Sequence, residues 1–469
     1  MALISLLLFW AAFAFAQQAI TPQSNTWNSN FSLSRSQIAR AGFNGTTANN
    51  VNVAVCFERT NWATGSVHDD PFYRVPENAS GMPAGSVLKV EQYTNTSAFT
   101  MPPNTALSRI LFQSETLNGP TVPASAFVLW PWMPRRDPRT GKYAAVGWGH
   151  GTSGVFGENA PSHIRNLWYQ YSAPYILALQ GYVVVAPDYA GLGVDRYANG
   201  TEIRHAYLSN PSHANDLFRA VEAAQKAWRD DLSKYFVLMG HSQGGGAAWG
   251  AAQRQAKRPV AGFLGTIAGS PVTDLVAQEN VTQAANLPFY IGYGLEQTLP
   301  GFNVSEFLTA KGVRHLDLFR EVGGGQSVAL QIDSQDGLFQ PEWWLTPYMQ
   351  AFVNLTRNGG LPIEGPMLVL QGTADPAVPN QVTDAAVKKT CAAYPGSQIE
   401  YAIFEGATHV PVLYASQRIW LDWIADRFAG RETAAPCTRS FYSPARKLAS
   451  YQTELELYLE LATQPYEVA

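Results

Sequence analysis

Charged side chains are scarce in this chain: Asp, Glu, Lys and Arg make up 14 % of it, against roughly 25 % in an ordinary soluble protein. The 32 basic and 36 acidic residues nearly cancel, leaving a formal charge of −4 with no basic block anywhere. Nucleic-acid binding requires a basic face, so no nucleic-acid partner is expected. Cysteine is scarcer still. Cys56, Cys391 and Cys437 are the only three, and no Cys/His grouping has the spacing of a metal site; neither a metal nor a cofactor is expected. Apolar runs are short except at the start, where M-A-L-I-S-L-L-L-F-W-A-A-F-A-F-A precedes Gln17-Gln18. That run is too short to span a bilayer comfortably. Its Ala14-Phe15-Ala16 ending reads as a secretory signal peptide, although no Lys or Arg stands ahead of it. No later stretch predicts a transmembrane helix in the mature chain, and the polar end T-Q-P-Y-E-V-A predicts no lipid-anchor tail.

What is abundant agrees with export. Asn30, Asn44, Asn78, Asn95, Asn199, Asn280, Asn303 and Asn354 each begin N-x-S or N-x-T without an intervening proline, the acceptor pattern for N-glycosylation. Glycans on a charge-poor chain help keep it soluble. A secreted, extracellular eukaryotic protein follows. An oxidising compartment permits one bridge and leaves one thiol over. Cys391 with Cys437 is the expected pair, tying the last core segments to the C-terminal tail, while Cys56, in the strand-like run V-N-V-A-V-C-F, reads as a buried thiol. Aromatics reach 12 %, with 13 Trp, enough to pack a core and line an apolar cleft.

Residues 17–105 are rich in Asn, Ser, Thr, Pro and Gly and read as an N-terminal arm packed on the core. Ser108 to Pro131 holds two strand candidates separated by Asn118-Gly119-Pro120, the grammar of a hairpin. From Tyr143 strands and helices alternate, which predicts a mostly parallel α/β sheet. Tyr143–Trp148, Tyr182–Ala186, Phe236–Met239, Gly262–Ala268, Pro366–Leu370 and Gln398–Phe404 read as strands. Leu167–Gln180, 213–230, 244–257, 382–393 and 416–428 read as helices. The alternation stops between about 272 and 360, where helix-like pieces and the aromatic clusters Phe289-Tyr290 and Trp343-Trp344 suggest an inserted cap or lid; a satellite helical subdomain is the alternative. In the tail, Leu455, Leu457, Leu459 and Leu461 alternate with other residues, the period of a strand.

The chemistry gathers on Y-F-V-L-M-G-H-S-Q-G-G-G, Tyr235 to Gly246. A buried strand followed by G-x-S-x-G is a nucleophile elbow, whose tight turn lifts the serine hydroxyl above the sheet. A serine is a weak nucleophile and needs a histidine held by a carboxylate, in the order Ser, Asp or Glu, His. Of eight histidines, six precede the serine or adjoin it and His315 lies in the insertion. His409, in Glu405-Gly406-Ala407-Thr408-His409, is left as the base. Asp375, in the proline-stiffened loop G-T-A-D-P-A-V-P after M-L-V-L, is the acid; Asp384 starts a helix, and Asp333 and Asp336 lie in the insertion. Two backbone N–H groups must receive the oxyanion: Gln243, next to Ser242, and Thr152 of the H-G-T-S-G loop, preferred over Gly151. Asp188 is expected to brace that loop without touching substrate.

With D-P-F-Y-R-V-P from Asp70, the H-G-T loop, G-Y-V-V-V-A-P-D-Y-A-G-L-G, G-H-S-Q-G-G, G-T-A-D-P-A-V-P and T-H, the chain resembles the fungal secretory lipase family, the lipase A type of α/β hydrolase. The likeness covers about Asp70 to Asp426. It implies an α/β-hydrolase fold with a mostly parallel central sheet and an inserted, mainly helical cap, with Ser242, Asp375 and His409 as catalytic triad. The implied activity is hydrolysis of carboxylic esters, triacylglycerols among them. The corresponding organisation is a signal peptide at 1–16, an arm at 17–105, a core at 106–271 and 361–430, a cap at 272–360 and a tail at 431–469. The expected partner is an ester or lipid substrate, with transient contact between cap and lipid interface. An acyltransferase or a peptidase would use the same triad, and a non-catalytic binding protein on the same fold is the reading from another class.

Overall fold

In the computed structural model, residues 30–282, 288–333, 335–433 and 435–452 are described. The signal peptide expected at 1–16 and the strand expected at Leu455–Leu461 lie outside them. Ten strands form one sheet in the order β1-β2-β3-β5-β4-β6-β7-β8-β9-β10. They are β1 (Val87–Glu91), β2 (Ala106–Glu115), β3 (Thr121–Trp130), β4 (Tyr143–Gly149), β5 (Val183–Pro187), β6 (Leu232–His241), β7 (Phe263–Gly269), β8 (Met367–Gly372), β9 (Ile399–Phe404) and β10 (Thr438–Tyr442). The pairs β1–β2, β2–β3 and β3–β5 are antiparallel and the rest parallel. The expected α/β-hydrolase sheet is therefore present, and the hairpin at 118–120 joins β2 to β3.

The central strands are buried on both faces because helices cover both, which is why they read as continuous apolar runs. Alternation within the runs decides which face each side chain serves. Val184, Val237 and Met239 point to a core with Trp148, Trp420 and Ile424. Val185, Phe236 and Leu238 point to the opposite core with Leu217, Phe218 and Val221 of helix Asn210–Ala227. Between β7 and β8 the chain leaves the sheet. Helices Leu275–Thr282, Pro288–Thr298, Ala310–Val322, Gln326–Asp333 and Pro347–Thr356 occupy that stretch around their own apolar core, including Phe289, Leu316, Phe319, Val328 and Phe352.

Two local readings need correction. The run V-N-V-A-V-C-F is helical, within Gly45–Thr60. Its buried residues Val51, Ala54 and Val55 recur at three and four positions, the period of a helix face, and the Asn44 side chain caps the first turn by accepting from Thr47 N–H. This helix packs on helix Gln326–Asp333, and helix Arg35–Ala41 packs on Ala310–Val322. The first part of the arm thus lies on the insertion, whereas its later part supplies β1. Secondly, only Pro174–Leu179 of the helix expected over Leu167–Gln180 is α-helical. Leu167, Trp168, Tyr169 and Gln170 take left-handed backbone, with φ of 55°, 53°, 56° and 37°. Each such residue costs roughly 1–2 kcal/mol, so tertiary contacts of this segment override its helix-like pattern. The tail after Arg431 adds a strand with no expectation behind it, β10, to the sheet edge, parallel to β9. The Cys391–Cys437 disulfide, Cα–Cα 5.9 Å, fastens β10 to helix Asn380–Ala393.

Candidate active site

Ser242 sits between β6 and helix Gln243–Lys257 with φ 59° and ψ −118°, a backbone conformation costly for any residue with a side chain and characteristic of strained functional turns. Two glycines make the turn sterically feasible. A Cβ on Gly240 would lie 2.1 Å from the Gly244 carbonyl oxygen, and one on Gly244 would lie 2.0 Å from that of Gly149. The small residues around the serine are therefore imposed by backbone packed on backbone.

The loops after β4, β6, β8 and β9, all in the parallel part of the sheet with β7 between β6 and β8, bring Thr152, Ser242, Asp375 and His409 to the carboxyl ends of parallel strands, where open α/β sheets form their clefts. Ser242 Oγ lies 2.9 Å from His409 Nε2, and His409 Nδ1 lies 2.9 Å from Asp375 Oδ2. A carboxylate can only accept, so Nδ1 carries the imidazole hydrogen and Nε2 is left to accept from the serine hydroxyl. Asp375 also accepts from the backbone N–H of Ala377 (3.0 Å) and Val378 (2.8 Å) and from Gln371 Nε2 (3.2 Å). Burial alone would raise its carboxyl. The adjacent His409 and the Val378 N–H outweigh that and hold it below the usual aspartate range, so it stays ionised and keeps the imidazole oriented. The other acids stand elsewhere: Asp384 pairs with Lys388 (2.6 Å) and Arg439. His315 donates away from the site, to the Ala41 carbonyl at 2.8 Å.

Gln243 opens a helix, and the first N–H groups of a helix have no intrahelical acceptor. Its side chain is buried and fixed: Nε2 donates to His205 Nε2 (3.0 Å), and His205 Nδ1 donates to the Ala190 carbonyl (3.0 Å). Burial pushes His205 down to about 3, so the ring stays neutral and able to accept. Across the cleft, Thr152 Oγ1 and Tyr207 Oη are 2.8 Å apart, a pairing that sequence patterns did not signal because Tyr207 belongs to no motif. Asp188 is buried and braces a different piece than expected. Its carboxylate accepts from Ser125 Oγ (2.5 Å), Ser162 Oγ (2.6 Å) and Ser162 N–H (2.8 Å). Only its backbone carbonyl, 3.2 Å from His150 Nε2, reaches the H-G-T loop.

Ser242 and His409 stand in a solvent-open cleft of about 290 Å³, with Leu208, Val272, Leu275, Leu330 and Val378 among its walls. Leu275 and Leu330 come from the helical insertion. Among the described residues, no group of acidic, histidine and cysteine side chains could hold a metal ion, and no helix is long and apolar enough to cross a membrane.

The fold has counterparts of known structure. The chain is similar to Candida antarctica lipase A, with TM-score 0.66 and 17 % identity over 81 % of this chain and 90 % of that one. Against the closed state of that lipase the TM-score is 0.65 at 16 % identity, over the same shares. It is also similar to the rice cell wall degrading esterase LipA from Xanthomonas oryzae, with TM-score 0.58 and 17 % identity over 73 % of this chain and 100 % of that one. At such identities the likeness speaks for the fold. Comparison with curated proteins by sequence finds no match. The sequence profile of the secretory lipase family matches residues 160–435, more than half of the chain and every residue of the site except Thr152, and the chain belongs to that family as a carboxylic-ester hydrolase.

Proposed function

We propose that this hydrolase is exported and cleaves lipid esters, triacylglycerols included, through an acyl-enzyme on Ser242. The observation that carries the reading is the unbroken chain from Ser242 Oγ to His409 to Asp375, 2.9 Å at each step, on the floor of a largely apolar cleft. His409 Nε2 takes the hydroxyl proton as Oγ attacks the ester carbonyl. The N–H groups of Gln243 and Thr152 receive the oxyanion. The imidazolium, stabilised by Asp375, returns the proton to the departing alcohol. Water, deprotonated by the same imidazole, then releases the acid and restores the serine. The acyl chain lies along Leu208, Val272, Leu275 and Leu330. The segment 272–360 acts as a cap over the cleft, and its exposed apolar residues, Val281, Leu330, Leu345 and Leu355, suit transient contact with a lipid surface. Export is supported by all eight sequon asparagines being exposed. Ser242→Ala should lower kcat for an ester roughly 10⁶-fold if the triad acts as a unit; turnover near wild type in that variant ends the reading.

A further inference from the structure

His241 precedes the nucleophile, is fully buried, and takes no part in the proton path from Ser242 to Asp375. Its two ring nitrogens are nevertheless both committed. Nε2 lies 3.0 Å from the backbone carbonyl of His409, and Nδ1 lies 2.7 Å from Tyr169 Oη. A carbonyl oxygen can only accept, so Nε2 carries the hydrogen. Nδ1 of the neutral ring is then a bare acceptor and takes the phenolic hydrogen of Tyr169. Burial pushes His241 down to about 3 and keeps the Tyr169 phenol protonated, so this one arrangement of hydrogens persists through the neutral range.

We propose that Tyr169 and His241 are positioning residues that fix the backbone of the His409 loop against the nucleophile elbow. The proposal rests on the triad reading above. His241 is the chain neighbour of Ser242, so elbow and base are joined twice: once by the catalytic hydrogen bond, and once by His241 to the carbonyl of His409 itself. Elsewhere the loop is held from the acid side, through Gly406 N–H to Thr373 Oγ1 (2.8 Å) and Ala374 N–H to the Ala407 carbonyl (3.1 Å). The His241 bond ties it to the serine side. Tyr169 is set for this by the left-handed run 167–170, which seats its ring against Trp148 and His241. Its hydroxyl lies where a Cβ on Gly151 would be, 2.0 Å away, so the oxyanion loop closes the other side of the ring.

The test measures kcat, KM and melting temperature for a short soluble ester, with rates normalised to active sites titrated by a fluorophosphonate. His241→Leu should lower kcat by about 10- to 100-fold, the scale of an ångström-sized misplacement, with KM nearly unchanged. His241→Gln, whose amide can donate to the His409 carbonyl and accept from Tyr169, should recover most of the loss. Tyr169→Phe, which removes one hydroxyl without altering shape, should cost activity in the wild-type background and nothing further in His241→Leu. A His241→Leu enzyme within about twofold of wild type per titrated site, a glutamine variant no better than leucine, or a fully additive Tyr169→Phe cost would overturn the proposal. Each of those results leaves the triad reading standing, because all these variants keep Ser242, Asp375 and His409.

Discussion

Glu58, on helix Gly45–Thr60, accepts the backbone N–H of Gly325 at 2.6 Å, and its other oxygen accepts that of Val328 at 3.0 Å. The N-terminal arm thereby holds the first turn of helix Gln326–Asp333, just after the Gly323-Gly324-Gly325 run. That helix places Gln326 and Leu330 at the cleft. Burial raises the Glu58 carboxyl from 4.5 to about 7, although the Gly325 and Val328 N–H groups pull it down. The contact is thus sensitive to pH near neutrality.

The sign follows from linkage. A folded-state value above the unfolded one means the folded protein holds the proton more tightly. The stability this contributes is complete below about 4.5 and is lost as pH rises towards about 7. Glu58→Gln has no such proton. In thermal melts, the melting temperature of wild type minus that of Glu58→Gln should fall between these values and level off above them. A difference that is flat or rising across this window contradicts the assignment.

Asp375→Asn should leave the fold and KM nearly intact and reduce kcat by about 10⁴-fold, because an amide in that place favours the wrong imidazole tautomer. Steady-state kinetics on a soluble ester check this. A loss below about tenfold would mean that His409 does not depend on Asp375 for its orientation.

Cys391→Ser should destabilise the protein by about 4 kcal/mol, from the chain entropy of a bridge spanning 46 positions. The bridge anchors edge strand β10, far from Ser242 in the strand order, so kcat/KM at 25 °C should hold. Chemical denaturation with parallel activity assays separates the two. Lost activity in folded protein would show that the tail reaches the site.

Leu330 is 41 % exposed and lines the cleft from the insertion. Leu330→Gln should lower kcat/KM for dodecanoyl esters roughly three- to tenfold, the effect of losing about 1 kcal/mol of apolar contact, and leave acetyl esters unchanged. An equal loss on both would place Leu330 away from the acyl chain.

Much of this site is legible in the sequence because its constraints are local. Gly240 and Gly244 announce the elbow, since no other residue fits there. His409 follows from there being few histidines and one late loop, and Asp375 from the strand before it. Other features depend on contacts distant in sequence. Residues 167–170 carry a helix-like pattern, yet their backbone is left-handed, and contacts such as Tyr169 with His241, 72 positions later, hold the segment in place. The run around Cys56 alternates briefly like a strand, yet its partners are helices near residue 330, so helical periodicity wins. Tyr207 reaches Thr152 from a loop with no motif, and β10 is short, exposed and defined by its neighbour β9.

The most direct test of the central claim is peptide-mapping mass spectrometry of the folded enzyme after reaction with a fluorophosphonate ester mimic. One phosphonyl adduct is expected, on Ser242, formed in step with loss of ester turnover and absent in Ser242→Ala. An adduct on another residue, or full inactivation without modification of Ser242, would contradict it.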